Sequence, residues 1–142
     1  MEDNLAYLIA SVNRQLEDEL AEALRPDGIP IEQFRILASL AEQDGRSMRA
    51  LADAVLVDPA SLTKIIDRMV ADALVYRAPA PEDRRKVLIF LSSKGTALHD
   101  KVKGALGVQQ RHLTGRLSED KVKKLAVLMR ELASPPEDEA SV

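Results

Sequence analysis

The stretch DPASLTKIIDRMVADALVYRAPAPEDRRKVLIFLS, residues 58–92, decides the fold of this chain. Its first residue, Asp58, suits a helix start because a carboxylate there can accept a hydrogen bond from an otherwise unpaired backbone amide. Pro59 suits the first helical position, where no amide donor is required. Together the two residues predict that a helix begins here.

This helix has one apolar face and one polar face. At about 100° per residue, the apolar residues fall on one side, and Lys64 lies near the centre of the other. The apolar face holds Leu62, Ile65, Ile66, Met69, Val70 and Ala73, and the polar face holds Ala60, Ser61, Thr63, Lys64, Asp67 and Arg68. An ordinary surface helix with a solvated polar face would show the same pattern, so the helix alone does not establish a function.

A short helix precedes this one. Ser47 can cap it, and its pattern ends only two residues before Asp58. Its predicted inward residues are Met48, Leu51, Ala52 and Val55. Two short helices joined by a tight turn form a helix-turn-helix, whose second helix can enter the major groove of DNA, about 12 Å wide. The candidate DNA contacts on that helix are Ser61, Thr63, Lys64 and Arg68.

Strand and turn signals follow the second helix. Residues 74–77 and the β-branched, aromatic residues 86–91 are predicted strands, and the segment between them is rich in proline. The pattern predicts a hairpin with Arg84 and Arg85 just past its tip. These arginines could lie along the phosphate backbone or enter a minor groove, where narrow A·T tracts concentrate negative potential. Equally, an Asp83 to Arg85 pair could hold a solvated loop, and both interpretations can apply to different residues.

The order of these elements resembles a known family. A helix-turn-helix ending in Asp-Arg-Met (67–69), a short strand, the Asp-Arg-Arg of residues 83–85 and an apolar strand ending in Leu-Ser (91–92) look like the winged helix-turn-helix of MarR-type transcriptional regulators. That family's signature is an Asp-x-Arg wing followed by a strand ending in Leu-Thr. The motifs cover about residues 30–98, and the order of helices covers the whole chain.

The resemblance also implies roles for single residues. The implied DNA-binding residues are Ser61, Thr63, Lys64 and Arg68 on the recognition helix and Asp83, Arg84 and Arg85 on the wing. Arg85 would take the wing's minor-groove or structural role. Two residues depart from the pattern: Ser92 replaces the usual Thr but keeps a hydroxyl cap, and Ala73 stands where a glycine commonly ends the recognition helix.

Composition limits the remaining possibilities. The length predicts a single domain over residues 1–142. Because the chain has no cysteine, disulfides, thiolate metal sites, thiol nucleophiles and thiol-based redox sensing are excluded. A net charge of −3 argues against a nonspecific nucleic-acid coat. Residues 46–86 carry eight bases and six acids, so DNA binding would depend on a few placed side chains.

Nothing in the sequence supports catalysis. The histidines, His99 and His112, are thirteen residues apart and about 140° from each other around a continuous helix, so they do not form a metal-ligand pair. No phosphate loop, paired glycine-rich turn or nucleophile elbow is present. We therefore predict that the chain is not an enzyme and holds no metal or cofactor.

Amphipathic helices flank the predicted winged domain. The fold class is predicted to be mainly α with a small β-hairpin wing: a winged helix-turn-helix over about residues 30–92, with long terminal dimerisation helices over about 3–25 and 93–133. The last of these is predicted to run without a break to about Leu117, with another helix after it. A monomer would leave the apolar stripes of these helices exposed, so we predict a twofold homodimer. The proline-rich, acidic tail over 134–142 is predicted to be disordered.

Twofold symmetry would make DNA recognition specific. Two recognition helices about 34 Å apart would enter successive major grooves of double-stranded DNA, which predicts an inverted-repeat operator. On each helix, Ser61 and Thr63 can reach bases or phosphates, and Lys64 suits guanine or a phosphate. Arg68 is expected to contact the DNA backbone or to pair with Asp67.

The resemblance implies a repressor released by a small organic effector, often an aromatic or lipophilic acid, whose pocket residues the sequence does not assign. The alternative is a winged helix used for protein contacts without DNA binding. No run approaches the ~18 to 20 apolar residues of a membrane span, and the N-terminus is unlike a signal peptide. We therefore expect a cytoplasmic protein with no membrane partner.

Overall fold

The computed structural model describes residues 4–134. The elements are α1 (Leu5–Leu24), a 3₁₀ turn (Arg25–Asp27), α2 (Ile31–Glu42), β1 (Arg46–Ser47), α3 (Met48–Val55), α4 (Pro59–Ala71), β2 (Val75–Ala80), β3 (Asp83–Leu91), α5 (Ser93–Val102), α6 (Gly104–Leu117) and α7 (Glu119–Ala133). The prediction of a mainly α fold with a small β-hairpin wing is confirmed. Apart from Ser134, the tail predicted over 134–142 lies outside the described residues.

The chain divides into two compact units, one ending at Ala105 and the other beginning at Leu106. The first unit holds α1 to α5 and the three strands, and the second holds α7 and nearly all of α6. The prediction of one domain over residues 1–142 stays a prediction.

The helix-turn-helix consists of α3 and α4, and both helices begin at the predicted caps. The Ser47 hydroxyl accepts a hydrogen bond from the amide of Ala50 at 3.1 Å, and the Asp58 carboxylate accepts one from the amide of Ser61 at 2.9 Å. Between the helices, Leu56 ends α3 in the left-handed conformation with φ 59°. Local capping chemistry therefore fixes where both helices start.

One apolar core holds the helix-turn-helix to the sheet. Its members come from α2, α3, α4, β2, β3 and the turn before β2, and burying each Leu or Ile side chain contributes about 1.5–3 kcal/mol. They are Ile36, Leu37, Leu40, Leu51, Ala52, Val55, Leu62, Ile66, Met69, Leu74, Val75 and Ile89. Because Leu62, Ile66 and Met69 are fully buried, the opposite face of α4 must point to solvent.

The C-terminal end of α4 differs from the prediction. Ala73 was predicted on the buried face of the helix, which is wrong, because α4 ends at Ala71 and Ala73 is exposed in the turn that follows. Ala73 has φ 61°, the left-handed conformation that usually requires glycine after a helix. The chain thus uses alanine in a position that favours glycine.

The three strands form an antiparallel sheet in the order β1-β3-β2. The predicted hairpin is present but longer than expected, because β2 continues through Pro79, which lies opposite Val87, to Ala80. Residues 78–80 were predicted in the turn, but only Pro81 and Glu82 separate the strands. The edge position of β2 explains the difference, since an edge strand tolerates a proline that cannot donate to a neighbour. The two-residue β1 was not predicted because so short a strand has no periodicity.

A second apolar cluster joins the end of α1 to α2 and α5 in the first unit. Its members are Leu20, Leu24, Ile29, Phe34 and Val102. Ion pairs lie beside it, with 3.4 Å from Arg35 to Glu17 and 3.1 Å from Lys101 to Asp27. These contacts anchor only the C-terminal part of α1, since Leu5, Leu8 and Val12 are exposed.

The helix predicted to run without a break to about Leu117 is interrupted at Lys103. The Lys103 amide bonds to the His99 carbonyl at 2.8 Å and closes α5, and α6 begins at the next residue. Gly104 and Gly107 make a continuous helix less stable here, because each glycine costs a helix about 1 kcal/mol relative to alanine.

Ser118 caps helix α7, because its hydroxyl accepts a hydrogen bond from the amide of Lys121 at 3.3 Å. Within the single chain none of the apolar stripe of α7 is buried, as the sequence predicted for a monomer. The stripe is Val122, Leu125, Leu128, Met129 and Leu132.

Among the described residues, no helix combines the length and the apolar character needed to cross a membrane.

Candidate DNA-binding surface

The candidate surface is the solvent face of α4 together with the hairpin of β2 and β3, called the wing below. All four recognition-helix residues named from the sequence are exposed: Ser61, Thr63, Lys64 and Arg68. The buried face of α4 fixes this orientation, so the helix presents these side chains without any rearrangement of the core.

The first turn of α4 is organised by Asp58. Its carboxylate accepts two hydrogen bonds from Ser61, one from the backbone amide at 2.9 Å and one from the hydroxyl at 2.7 Å. The backbone bond from Ser61, then the side-chain bond, lowers the pKa of Asp58 below its ordinary value, so the carboxylate is charged at neutral pH. A fixed negative charge therefore lies beside Ser61 on the exposed surface.

Thr63 is also engaged within the helix. Its hydroxyl donates to the backbone carbonyl of Pro59 at 3.0 Å, one helical turn earlier. Such back-bonding is a common arrangement for threonine in helices. Both hydroxyls predicted to reach DNA thus already have an internal partner.

The charged residues of α4 pair differently from the prediction. Arg68 was expected to contact the backbone or pair with Asp67, but its Nε lies 3.4 Å from Asp72, one turn further along. Asp67 is instead paired with Arg77 of β2. The pairing of Arg68 with Asp67 is therefore wrong, and the Asp67–Arg77 pair links the recognition helix to the wing. Lys64 is exposed near the middle of the same face.

The wing arginines lie at the start of β3. The Asp83 carboxylate accepts from the Arg85 backbone amide at 3.0 Å and from its Nε at 3.2 Å. The predicted Asp83 to Arg85 pair is present, yet the Arg85 side chain is 92% exposed. Its remaining guanidinium nitrogens are therefore accessible to a partner. Arg84 is exposed beside it.

Several residues that the sequence did not single out hold the wing in place. The Asp44 carboxylate accepts a hydrogen bond from the amide of Leu91 at 2.9 Å and so holds the end of β3 in place. Tyr76 and Phe90 stack across the hairpin with their ring centroids 5.5 Å apart. The spacing of Asp44 and Leu91 in the sequence offers no signal for this contact, whereas two aromatic residues in facing strands could have suggested the stack.

The junction between α4, β2 and α5 is also closely tied. The Ser92 hydroxyl caps α5 by accepting from the amide of Gly95 at 2.9 Å, which confirms the predicted cap. It also lies 2.6 Å from the carbonyl of Ala73 and 3.0 Å from that of Leu74. Lys94 donates to the carbonyl of Asp72 at 2.8 Å. The turn after the recognition helix is thus fixed by the start of α5.

The angle of about 140° predicted between His99 and His112 assumed one continuous helix, and the structure of residues 4–134 breaks that helix at Lys103. His99 lies on α5 and His112 on α6, so the two histidines are on separate helices. Across this range, no three His, Cys, Asp or Glu side chains come together as metal ligands would.

Comparison with known proteins identifies the family. A model described as the MarR family matches residues 27–86, the helix-turn-helix and most of the wing. The multiple antibiotic resistance protein MarR of Escherichia coli K12 is 32% identical over 129 residues, which cover 90% of each chain.

Solved structures agree with this assignment. A MarR mutant from E. coli complexed with operator DNA superposes with a TM-score of 0.83 at 31% identity, covering 92% of this chain and 94% of that one. BpsR of Bordetella bronchiseptica, whose DNA binding is regulated by 6-hydroxynicotinic acid, shares the fold with a TM-score of 0.87 at 21% identity, covering 96% and 97% of the two chains. The chain belongs to the MarR family.

Proposed function

We propose that this MarR-family regulator binds double-stranded DNA at an inverted-repeat operator as a homodimer and represses transcription until a small organic effector releases it. The observation that carries this proposal is the exposed polar face of α4, held beside an arginine-bearing wing by one buried core. The related MarR protein is known in complex with operator DNA. The protein is a transcriptional regulator and not an enzyme, as its relatives indicate.

The homodimer is supported by apolar side chains that the single chain leaves exposed. On α7, Leu125, Leu128 and Leu132 are 47%, 59% and 60% exposed, and on α1 Leu5 is 60% exposed. Exposed apolar stripes of this extent mark interaction surfaces. A stable monomer of 15.6 kDa in light scattering at micromolar concentration would contradict this part of the proposal.

Within the dimer, α4 would enter the major groove in each half-site. The N-terminal residues of a recognition helix contact base edges, which places Ser61, Thr63 and Lys64 nearest the bases. Lys64 suits guanine O6 and N7. Arg68, already paired with Asp72, suits the phosphate backbone.

The wing would contact the neighbouring minor groove or backbone. Arg85 keeps free guanidinium nitrogens although Asp83 orients it, and Arg84 adds a second positive charge at the same place. A narrow minor groove attracts such side chains because its negative potential is enhanced. Asp83 would act by positioning Arg85, since a carboxylate is repelled by phosphate.

The effector would be a small aromatic or lipophilic organic acid, as is typical of the family. It would have to bind more tightly to a dimer whose recognition helices are wrongly spaced for the operator, because an effector shifts an equilibrium only by its differential affinity. Release through cysteine oxidation is excluded by the absence of cysteine.

A gel shift tests the proposal against the alternative of a protein-interaction module. DNA upstream of the protein's own gene is titrated at two salt concentrations, with a scrambled duplex as the control. The proposal expects preferential binding to the upstream fragment, with affinity that falls steeply as salt rises because phosphate contacts release counterions. No salt-sensitive binding to any duplex would favour the alternative.

A further inference from the structure

The two hydroxyls at the start of the recognition helix point to a rule for base recognition that deepens the proposed function and rests on it. Ser61 is the third helical residue of α4 and Thr63 the fifth, and both are exposed. In general a serine or threonine hydroxyl can either donate to a base or accept from one. The local contacts of these two residues remove that freedom.

The direction of each hydrogen bond follows from the partner. Pro59 offers only a carbonyl oxygen, so Thr63 must be the donor in their 3.0 Å contact. Asp58 is a charged carboxylate with no proton, so Ser61 must donate in their 2.7 Å contact. Each hydroxyl has a single hydrogen, and both hydrogens are directed back into the helix.

Only lone pairs are then left to face a ligand. A hydroxyl oxygen that has already donated its hydrogen can accept from an N–H group but cannot donate to an oxygen or to a bare ring nitrogen. Phosphate oxygens, guanine O6 and N7, and thymine O4 are all acceptors. In the major groove, the bases that offer a donor are adenine, through N6, and cytosine, through N4.

The charge of the Asp58 carboxylate also favours an amino group over an acceptor oxygen. The Asp58 carboxylate lies within hydrogen-bonding distance of the Ser61 hydroxyl and is itself exposed. A negative charge there repels phosphates and the partial negative charge of carbonyl oxygens, whereas it attracts the partial positive charge of an amino group. Lys64 provides the opposite preference further along the helix, because its ammonium can only donate.

We propose that Ser61 and Thr63 face the operator as hydrogen-bond acceptors, so that each half-site must present an exocyclic amino group, adenine N6 or cytosine N4, opposite the start of α4. Asp58 is then a positioning residue: it touches no base but sets the direction of the Ser61 hydrogen bond.

The test begins with the duplex that the wild-type protein enriches from a random-sequence library. In each half-site, every adenine is replaced in turn by purine, which lacks the 6-amino group, and every cytosine by 2-pyrimidinone, which lacks the 4-amino group. Binding is measured for the wild type, Ser61→Ala and Thr63→Val. Because the analogues also weaken base pairing, the informative quantity is the difference between proteins on the same duplex.

The expected result is one or two positions per half-site at which removing the amino group weakens wild-type binding roughly fivefold to tenfold. At such a position, the matching variant, Ser61→Ala or Thr63→Val, should lose nothing further. Whether the sensitive base is adenine or cytosine identifies which amino group is read. Equal losses for wild type and both variants at every position would overturn the inference.

Asp58→Asn provides a second, independent arm. Asparagine is also a good N-cap, so the helix start is retained, but its side-chain NH₂ can donate to the Ser61 hydroxyl and so release the hydroxyl hydrogen. A repeated selection with this variant should move the preferred base at the position read by Ser61 from adenine or cytosine to guanine or thymine. Retention of the wild-type base there would also overturn the inference.

Asp53→Asn is the matched control, since it removes an exposed carboxylate from α3 that takes no part in the hydrogen bonds of Ser61 or Thr63. It should strengthen binding to all duplexes alike and leave the preferred bases unchanged. Failure of the proposed function is distinguishable: in that case the library yields no enriched sequence at all, whereas an enriched sequence bound without regard to amino groups sinks only the present inference.

Discussion

At the scale of single residues, the exposed charged side chains of α4 differ in how they are paired within the chain. Arg68 pairs with Asp72, and its neighbour Asp67 pairs with Arg77. The charges of Arg68 and Asp67 are therefore partly neutralised in the free protein. Lys64, in contrast, lies exposed in the middle of the polar face. The contributions of these residues to binding should therefore differ in kind as well as in size.

Lys64→Ala and Arg85→Ala should separate base recognition from backbone attachment. We expect Lys64→Ala to lose about 1–3 kcal/mol of binding free energy on the cognate duplex and much less on a scrambled one, because a guanine contact discriminates between bases. Arg85→Ala should weaken both complexes similarly and lower the slope of log affinity against log salt by about 1. Fluorescence anisotropy at several salt concentrations measures both quantities. Equal losses on both duplexes for both variants would show that this division of roles is wrong.

Ala73→Gly should stabilise the folded protein. A non-glycine residue in the left-handed conformation is strained, and Ala73 has φ 61° while being exposed, so a glycine loses no packing there. The greater freedom of glycine in the unfolded chain offsets part of the gain. We expect a net increase of about 0.5–1 kcal/mol in the free energy of unfolding, measured by urea denaturation with an unchanged slope. A decrease would mean that the methyl group of Ala73 has a role in the turn.

At the scale of elements, the parts of the fold that could be predicted are those whose cause is local. The start of α4 follows from Asp58 and Pro59 alone, and the faces of α4 follow from its periodicity. The contact of Asp44 with Leu91 joins residues 47 positions apart, and no local pattern announces it.

The same distinction applies to the candidate site. The Asp83–Arg85 pair was predictable because the two residues are two positions apart, whereas the Asp67–Arg77 pair depends on how β2 packs beside α4. Its existence follows from the hairpin lying against the recognition helix and not from either residue alone. The sequence could therefore name Asp67 and Arg77 as charged but not as partners.

The Asp67–Arg77 pair should couple the recognition helix to the wing in DNA binding. In Arg77→Ala, the Asp67 carboxylate would remain unpaired on the DNA-facing side of α4 and repel phosphate, so affinity should fall roughly tenfold. The double variant Arg77→Ala, Asp67→Ala should bind more tightly than Arg77→Ala alone. The free energy of unfolding should change by less than about 1 kcal/mol, because the pair is exposed. A double-mutant cycle on one duplex measures the coupling, and losses that simply add would contradict it.

Gly95→Ala should disrupt the junction of α4, β2 and α5. A Cβ atom at residue 95 would lie 2.0 Å from the backbone carbonyl oxygen of Leu74, and a backbone atom cannot move aside as a side chain can. We expect a loss of about 1–3 kcal/mol in the free energy of unfolding. Gly115→Ala is the matched control: nothing lies within 4 Å of its would-be Cβ, and it should stabilise α6 by up to about 1 kcal/mol. Equal stability of the two variants would show that the junction can adjust.

At the scale of the whole molecule, the apolar surfaces that the single chain leaves exposed support the proposed homodimer. Leu5, Leu8 and Val12 are exposed on α1, although the C-terminal part of this helix is well packed. None of the described residues of α7 is buried. The chain has a net charge of −3, so few positive side chains are available to contact DNA. A second copy would supply the same positive side chains at the adjoining half-site, and two linked contacts bind more tightly than one.

Leu128→Glu should therefore convert the protein to a monomer and weaken operator binding far more than any single contact could. Leu128 is 59% exposed in the single chain, so a glutamate there costs the monomer little, whereas a carboxylate buried in a dimer interface without a partner costs several kcal/mol. Sedimentation equilibrium should show a mass near 15.6 kDa, and affinity for the inverted repeat should fall by about 10²-fold or more as the avidity of two linked half-site contacts is lost. Val127→Glu, which introduces the same group on the opposite face of α7 at a neutral, exposed residue, should remain dimeric and bind normally. A dimer that survives Leu128→Glu with full affinity would place the interface elsewhere than on the leucine stripe of α7.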